Sequence, residues 1–214
     1  VKALHPRMAD AYLMRNDEEL TYLAAHHYLR GGDPARAYAA MLQARTPTEL
    51  SGLRSLFSRS RQGIALHEAM VQHAQEIGAP PRALYRRLRM LVELAPVADP
   101  TLVRYAPAAL AQLKQDTGLA LLTPDDAALS PAARGKVCME RALAIWNATP
   151  DSQRGWPPQR ALAELGTVTI SLCGAYSRSW DCAGLQALPE LLELFVGAPG
   201  IAATHTLVSL TIDS

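Results

Sequence analysis

Along this chain apolar residues recur at intervals of three and four rather than two, which is the spacing of a helix that buries one face. Leu84, Leu88, Leu91 and Val92 follow it, and so do Leu162, Leu165, Val168, Leu172 and Tyr176. The second run includes β-branched residues between Thr167 and Leu172, yet its spacing favours helix over strand. Proline supplies the punctuation, because it is tolerated in the first helical turn and a preceding Asp, Ser or Thr accepts bonds from free amides. Asp33-Pro34, Thr46-Pro47, Asp99-Pro100, Thr123-Pro124 and Ser130-Pro131 carry that pairing, and Pro80-Pro81 and Pro157-Pro158 mark two further starts.

The pattern predicts helices over 18–30, 34–45, 48–59, 62–77, 81–94, 100–117, 131–147, 158–178, 183–196 and 201–212. Short connections between helices enforce antiparallel neighbours, so the expectation is a series of helix hairpins. The interval 119–130 is the main interruption and is expected to hold a short turn with Thr123 as cap and Asp126 three residues later. It is also the one place for a subdomain break, although a single α-helical domain over 1–214 is the simpler reading.

Composition sharpens the picture. Alanine (37) and leucine (32) make about a third of the 214 residues and aromatics only 6%, so the core is expected to be small and aliphatic. Hydrophobic residues at 49% exclude a disordered tail. A formal charge of +1 gives no global attraction to nucleic acid or an acidic membrane. The longest run free of Asp, Glu, Lys and Arg, 194–212, contains Gly197, Pro199 and Gly200 and makes a poor membrane span. Three cysteines, Cys138, Cys173 and Cys182, form no CxxC and leave an odd thiol, which suits a reducing, cytoplasmic setting. The first residue is Val and no basic segment with an apolar core follows it, so the chain is expected to be a piece of a larger protein.

The best internal unit spans residues 18–45. Leu23, Ala24, Ala25, Tyr28, Gly32, Ala37, Met41 and Ala44, with Asp33-Pro34 opening the second helix, resemble the tetratricopeptide repeat. In that pattern small residues let two helices cross closely, an aromatic fills the crossing and a glycine permits the turn. A second unit, Leu162 to Leu194, repeats the logic but departs from it twice: Trp180 stands where the turn glycine would lie, and Pro189 falls inside the second helix. The segment Leu23 to Ala37 is also similar to the entry of helical regions that follow the nucleotide-binding module of large bacterial signalling ATPases and regulators. Neither GxxxxGK[ST] nor GxGxxG occurs, so any such module lies outside this sequence.

The resemblance implies an all-α fold of antiparallel hairpins stacked as a degenerate, tetratricopeptide-like right-handed superhelix. It implies a concave groove lined by Glu19, Tyr22, His26 and Arg30 from the first unit and Ser177 and Arg178 from the second, binding a protein or extended peptide. The expected role is that of a non-catalytic scaffold in signal transduction, without cofactor, metal or membrane partner.

Two other readings compete. A helical enzyme would need residues that converge only in three dimensions; no GxSxG or HExxH is present, His26-His27 diverge on one helix, and His67 and His73 miss the i, i+4 spacing. A nucleic-acid reader would centre on Arg82, Arg86 and Arg89 on one side of a helix, Arg87 diverging; near-neutral total charge disfavours it.

Overall fold

The computed structural model describes residues 2–15, 17–43, 57, 59–118, 123–129, 133, 137, 140, 141, 144, 147–150, 152 and 159–196. Among them no residue is in a β-strand. Among the described residues eight α-helices can be bounded: α1 (Leu4–Met14), α2 (Glu18–Gly31), α3 (Pro34–Gln43), α4 (Arg61–Glu76), α5 (Pro81–Leu94), α6 (Ala106–Thr117), α7 (Gln159–Ser179) and α8 (Cys182–Val196). The expected helices over 48–59 and 201–212 lie almost wholly outside the described residues, as do Thr46-Pro47, Ser130-Pro131 and Pro157-Pro158. Within 131–147, those residues that are described are helical.

The helix starts obey the capping chemistry written in the sequence. The Asp33 carboxylate accepts from the Arg36 amide at 3.0 Å, and that of Asp99 from the Thr101 amide at 2.9 Å. Ser60, which the sequence pattern did not single out, caps α4 by accepting from the Gly63 amide at 3.1 Å. The turn at Pro124–Ala128 is a 3₁₀ turn, and Asp126 reaches back to the Thr123 amide at 2.6 Å. Glycine closes three helices with positive φ: Gly32 (85°), Gly78 (61°) and Gly118 (62°). Trp180 fills the matching position between α7 and α8 with φ 55°, where glycine is the relaxed choice.

Two expectations are corrected. The helix expected over 100–117 is a 3₁₀ turn at Pro100–Tyr105 followed by α6. Pro107 explains the break, because its missing N–H cannot serve the carbonyl of Val103 four residues back. And α1 lies where no helix was expected; Pro6 falls within its first turn, where no intrahelical donor is required. Pro189, by contrast, does not end α8, which continues to Val196.

Neighbours in sequence are neighbours in space. Helix α1 packs on α2, α2 also on α3 and α4, and α4 on α3 and α5. Helix α5 packs on α6, on α7 and on the Pro100–Tyr105 turn, and α8 lies against α6 and α7. Two hydrophobic clusters result. One gathers Ala9, Tyr22, Ala24, Ala25, Tyr28, Ala37, Tyr38, Ala40, Met41, Leu66, Met70 and Ala74 from α1–α4. The other is built mainly from leucine and valine of α5–α8, including Leu88, Leu91, Leu110, Leu113, Val168 and Leu172. Helix α4 serves both, giving Met70 to the first and Val71 to the second, and Leu84 of α5 touches each.

Candidate functional site

Helix α2 carries most of the expected groove, and its surroundings decide which side chains are available. Three neighbours enclose it, so Tyr22, Ala24, Ala25 and Tyr28 are buried. Tyr22 is only 1% exposed and stands edge-on to His67 of α4, with ring centroids 5.5 Å apart. It is part of the core packing rather than a free groove residue. The sequence spacing placed it on the right helix, but it does not reveal that α4 covers that face. One outward stripe on α2 runs at i, i+3 and i+7, through half-buried Leu23, half-buried His26 and exposed Arg30, while Leu20, His27 and Leu29 are also half-buried. The Glu19 side chain lies outside the described residues.

Around that stripe the aromatic and polar groups are dense. His26 meets Phe57 edge-on at 5.5 Å and His27 at 5.8 Å. His27 approaches His5 of α1 with 2.8 Å between their Nδ1 atoms, so one proton serves the two nitrogens. Burial, with the neighbouring His5, His27 and Arg30 charges adding to it, holds His26 below its usual pKa, and burial followed by His5 and Arg30 does the same to His27. Both imidazoles are therefore neutral at physiological pH. Beside them the Tyr28 hydroxyl donates to Asp10 at 2.5 Å, and Arg36 pairs with Asp10, donates to the Tyr28 hydroxyl at 3.0 Å and stacks over the Tyr28 ring at 4.3 Å. This ties α1, α2 and α3 together. Burial and then the Asp10 bond push the Tyr28 hydroxyl up to about 12.

Ser177 and Arg178 are exposed on α7, where the Arg178 guanidinium donates to the Pro96 carbonyl. Their helix packs on α5, α6, α8 and the Pro100–Tyr105 turn, whereas α2 packs on α1, α3 and α4. The structure thus assigns the six expected residues to two separate packing environments.

The arginines of α5 part company. Arg82 and Arg86 are exposed, but Arg89 pairs with Glu93 and with Glu164 of α7, and Tyr85 donates to the same Glu164 at 3.0 Å. Burial opposes the charge on Arg89, yet the two carboxylates outweigh it and hold the guanidinium above its usual pKa. Arg89 is spent on joining two helices and leaves the stripe expected of a phosphate reader.

Two groups that sequence reasoning passed over lie deeper. Arg87 is 1% exposed; its Nη1 donates to the Met41 carbonyl at 3.0 Å, while Nε and Nη2 make no hydrogen bond. Met41 sits in the last turn of α3, so the cation meets the negative end of that helix. Burial, and then Arg86, bring the Arg87 guanidinium down to about 10. His67, equally buried, has an unbonded Nε2, and burial together with Arg87 holds it at about 3. The signal for both was periodic: Gly63, His67, Met70 and Ala74 share one face, as do Arg87, Leu91 and Leu94.

Among the described residues no group of three or more His, Cys, Asp or Glu is arranged to hold a metal ion. Cys173 and Cys182 carry thiols rather than a disulfide, and Cys138 lies outside the described residues. No described helix is long and apolar enough to cross a membrane. Compared with protein-family models, with curated proteins and with solved structures, the chain gave no significant match.

Proposed function

We propose that this chain is a non-catalytic helical-repeat scaffold that binds a protein or an extended peptide. The observation that carries the reading is the first crossing. Ala24, Tyr28 and Ala37 are buried together at 0%, 2% and 0% exposure, and Gly32 turns the chain at φ 85°. Small residues on both helices with one aromatic between them are what close hairpin packing requires. Helix α2 then lies against both α3 and α4, as the first helix of one pair lies against its own partner and against the next pair in a stacked array. The second unit supports the reading less, because a tryptophan stands in its turn.

On this reading the recognition surface is the outer stripe of α2: Leu23, His26 and Arg30. It combines an apolar contact, a neutral imidazole and a fixed cation, which suits a segment presenting a carboxylate beside an apolar side chain. The role in a bacterial regulatory protein follows from the resemblance over Leu23 to Ala37, the cytoplasmic setting from the odd cysteine count without a CxxC, and both belong to the same proposal.

The test is selection of a displayed linear-peptide library against the full chain, followed by titration of the selected peptides. Arg30→Glu and His26→Ala are expected to weaken binding at least tenfold and Ser177→Ala to leave it unchanged. Tyr22→Ala is unsuitable, because it opens a cavity in the core. Failure to select any peptide, or binding indifferent to both α2 variants, contradicts the groove.

A further inference from the structure

Four of the ten large apolar side chains that stand exposed among the described residues belong to α1, a helix of 11 residues: Leu4, Met8, Leu13 and Met14. At roughly 100° per residue, three of them, with Ala11, fall within an arc of about 120°. Leu4 is 57%, Met8 42% and Met14 85% exposed, and Ala11 is exposed as well. Ala9, the buried residue of α1, points to the opposite side, toward the α1–α4 cluster. Single exposed apolar residues are ordinary, but a contiguous strip on one helix face marks a contact.

The charges on the same face say what kind of contact. Arg7 and Arg15 lie within the arc and are exposed. The sole acidic residue of α1, Asp10, lies off the arc and is engaged by Arg36 and Tyr28. The face therefore sets two cations among its apolar side chains, with no carboxylate of its own helix to answer them.

We infer that this face of α1 docks the amphipathic helix of a partner protein whose apolar stripe is bordered by Asp or Glu. An apolar stripe at i, i+4 and i+7 matches the ridge that a second helix presents, and carboxylates on its flanks would meet Arg7 and Arg15. A second copy of this chain fits worse, because two such faces would bring four arginines together. An anionic bilayer answers the cations, but two arginines and no interfacial Trp or Phe make a weak anchor. Three helical turns bury less than a standard interface, so the contact is expected to be of micromolar strength and reversible.

The surface is distinct from the α2 stripe and is tested separately, by fluorescence anisotropy on the full chain. The probe is a labelled amphipathic peptide of 15 residues with a leucine stripe bordered by glutamates. Controls are its lysine-bordered counterpart and vesicles of 30% phosphatidylserine in phosphatidylcholine. The acidic peptide is expected to bind at least tenfold tighter than the basic one. Met8→Glu should weaken it at least tenfold, with circular dichroism unchanged because Met8 is solvent-exposed, and the double variant Arg7→Glu, Arg15→Glu should reverse the preference. Arg30→Glu should leave it unaltered, which separates this outcome from that of the α2 stripe. Equal binding of the two peptides, indifference to Met8→Glu, binding to vesicles alone, or a dimer dissolved by Met8→Glu would each overturn the inference.

Discussion

The two hydrophobic clusters are made of different material. The first, from α1–α4, holds six alanines, three tyrosines, two methionines and one leucine, whereas nine leucines and three valines dominate the second. Alanine brings helix backbones together and leaves the remaining volume to a few aromatic rings, whose hydroxyls must find partners at the rim. Tyr28 does so through Asp10 and Arg36. Leucine fills space with no such demand; of the second cluster's two tyrosines Tyr85 donates to Glu164 and so joins the Arg89, Glu93 and Glu164 network that fastens α5 to α7. The first region therefore couples packing to titratable groups, while the second relies on aliphatic burial plus one ion-pair network.

That contrast is open to attack at several points. The largest effect is expected in the second region, from Arg89→Met, which takes away the guanidinium that the buried Glu93 and Glu164 share and leaves the Tyr85 hydroxyl on Glu164. A loss of about 3 kcal/mol in urea unfolding is expected, since removing one partner leaves uncompensated charge. A loss below about 1 kcal/mol would show that α5 and α7 are held by leucine alone.

Next comes acid. His26, His27 and His67 all have folded pKa values below the unfolded value, so the unfolded chain binds more protons and stability falls as pH drops. The loss should begin near pH 6.5 and, for His67, continue toward about 3. Hydrogen-exchange protection, taken relative to the intrinsic rate at each pH, should fall between pH 7 and pH 5 in α1–α4 before α5–α8. His67→Phe should flatten the dependence; simultaneous loosening of both regions would erase the distinction.

Two smaller effects sharpen the comparison. Tyr28→Phe removes the hydroxyl that Asp10 and Arg36 share and should cost about 1 kcal/mol, read as a lower urea midpoint with unchanged slope. Trp180→Gly should stabilise by up to about 1 kcal/mol, because Trp180 is 90% exposed and is held at φ 55°. A lower thermal midpoint in that variant would mean that the indole makes a contact worth more than the strain.

Much of the helical framework was legible because its boundaries are chemical. Pro81 opens α5 and the expected span 81–94 is the observed one; Asp33 and Asp99 cap as their positions promised. Helix α1 was not legible, since Pro6 and His5 interrupt its apolar spacing and its outward face is itself apolar. The site was read less well. Helical periodicity assigns residues to faces but not faces to neighbours, so Tyr22 was expected in a groove and lies under α4, and Arg89, weighed as part of one arginine stripe with Arg82 and Arg86, lies against Glu164. Residue type misled in the same way for His67 and Arg87, polar side chains that sit on otherwise apolar faces.

The claim on which the functional account rests is that α2 offers its outer stripe to a partner. It is tested most directly by hydrogen exchange along the full chain with and without a library-selected peptide. The account predicts slowed exchange within Glu18–Gly31 that disappears in the Arg30→Glu variant. Unchanged exchange in that helix, with protection arising on α7 or nowhere, would contradict it.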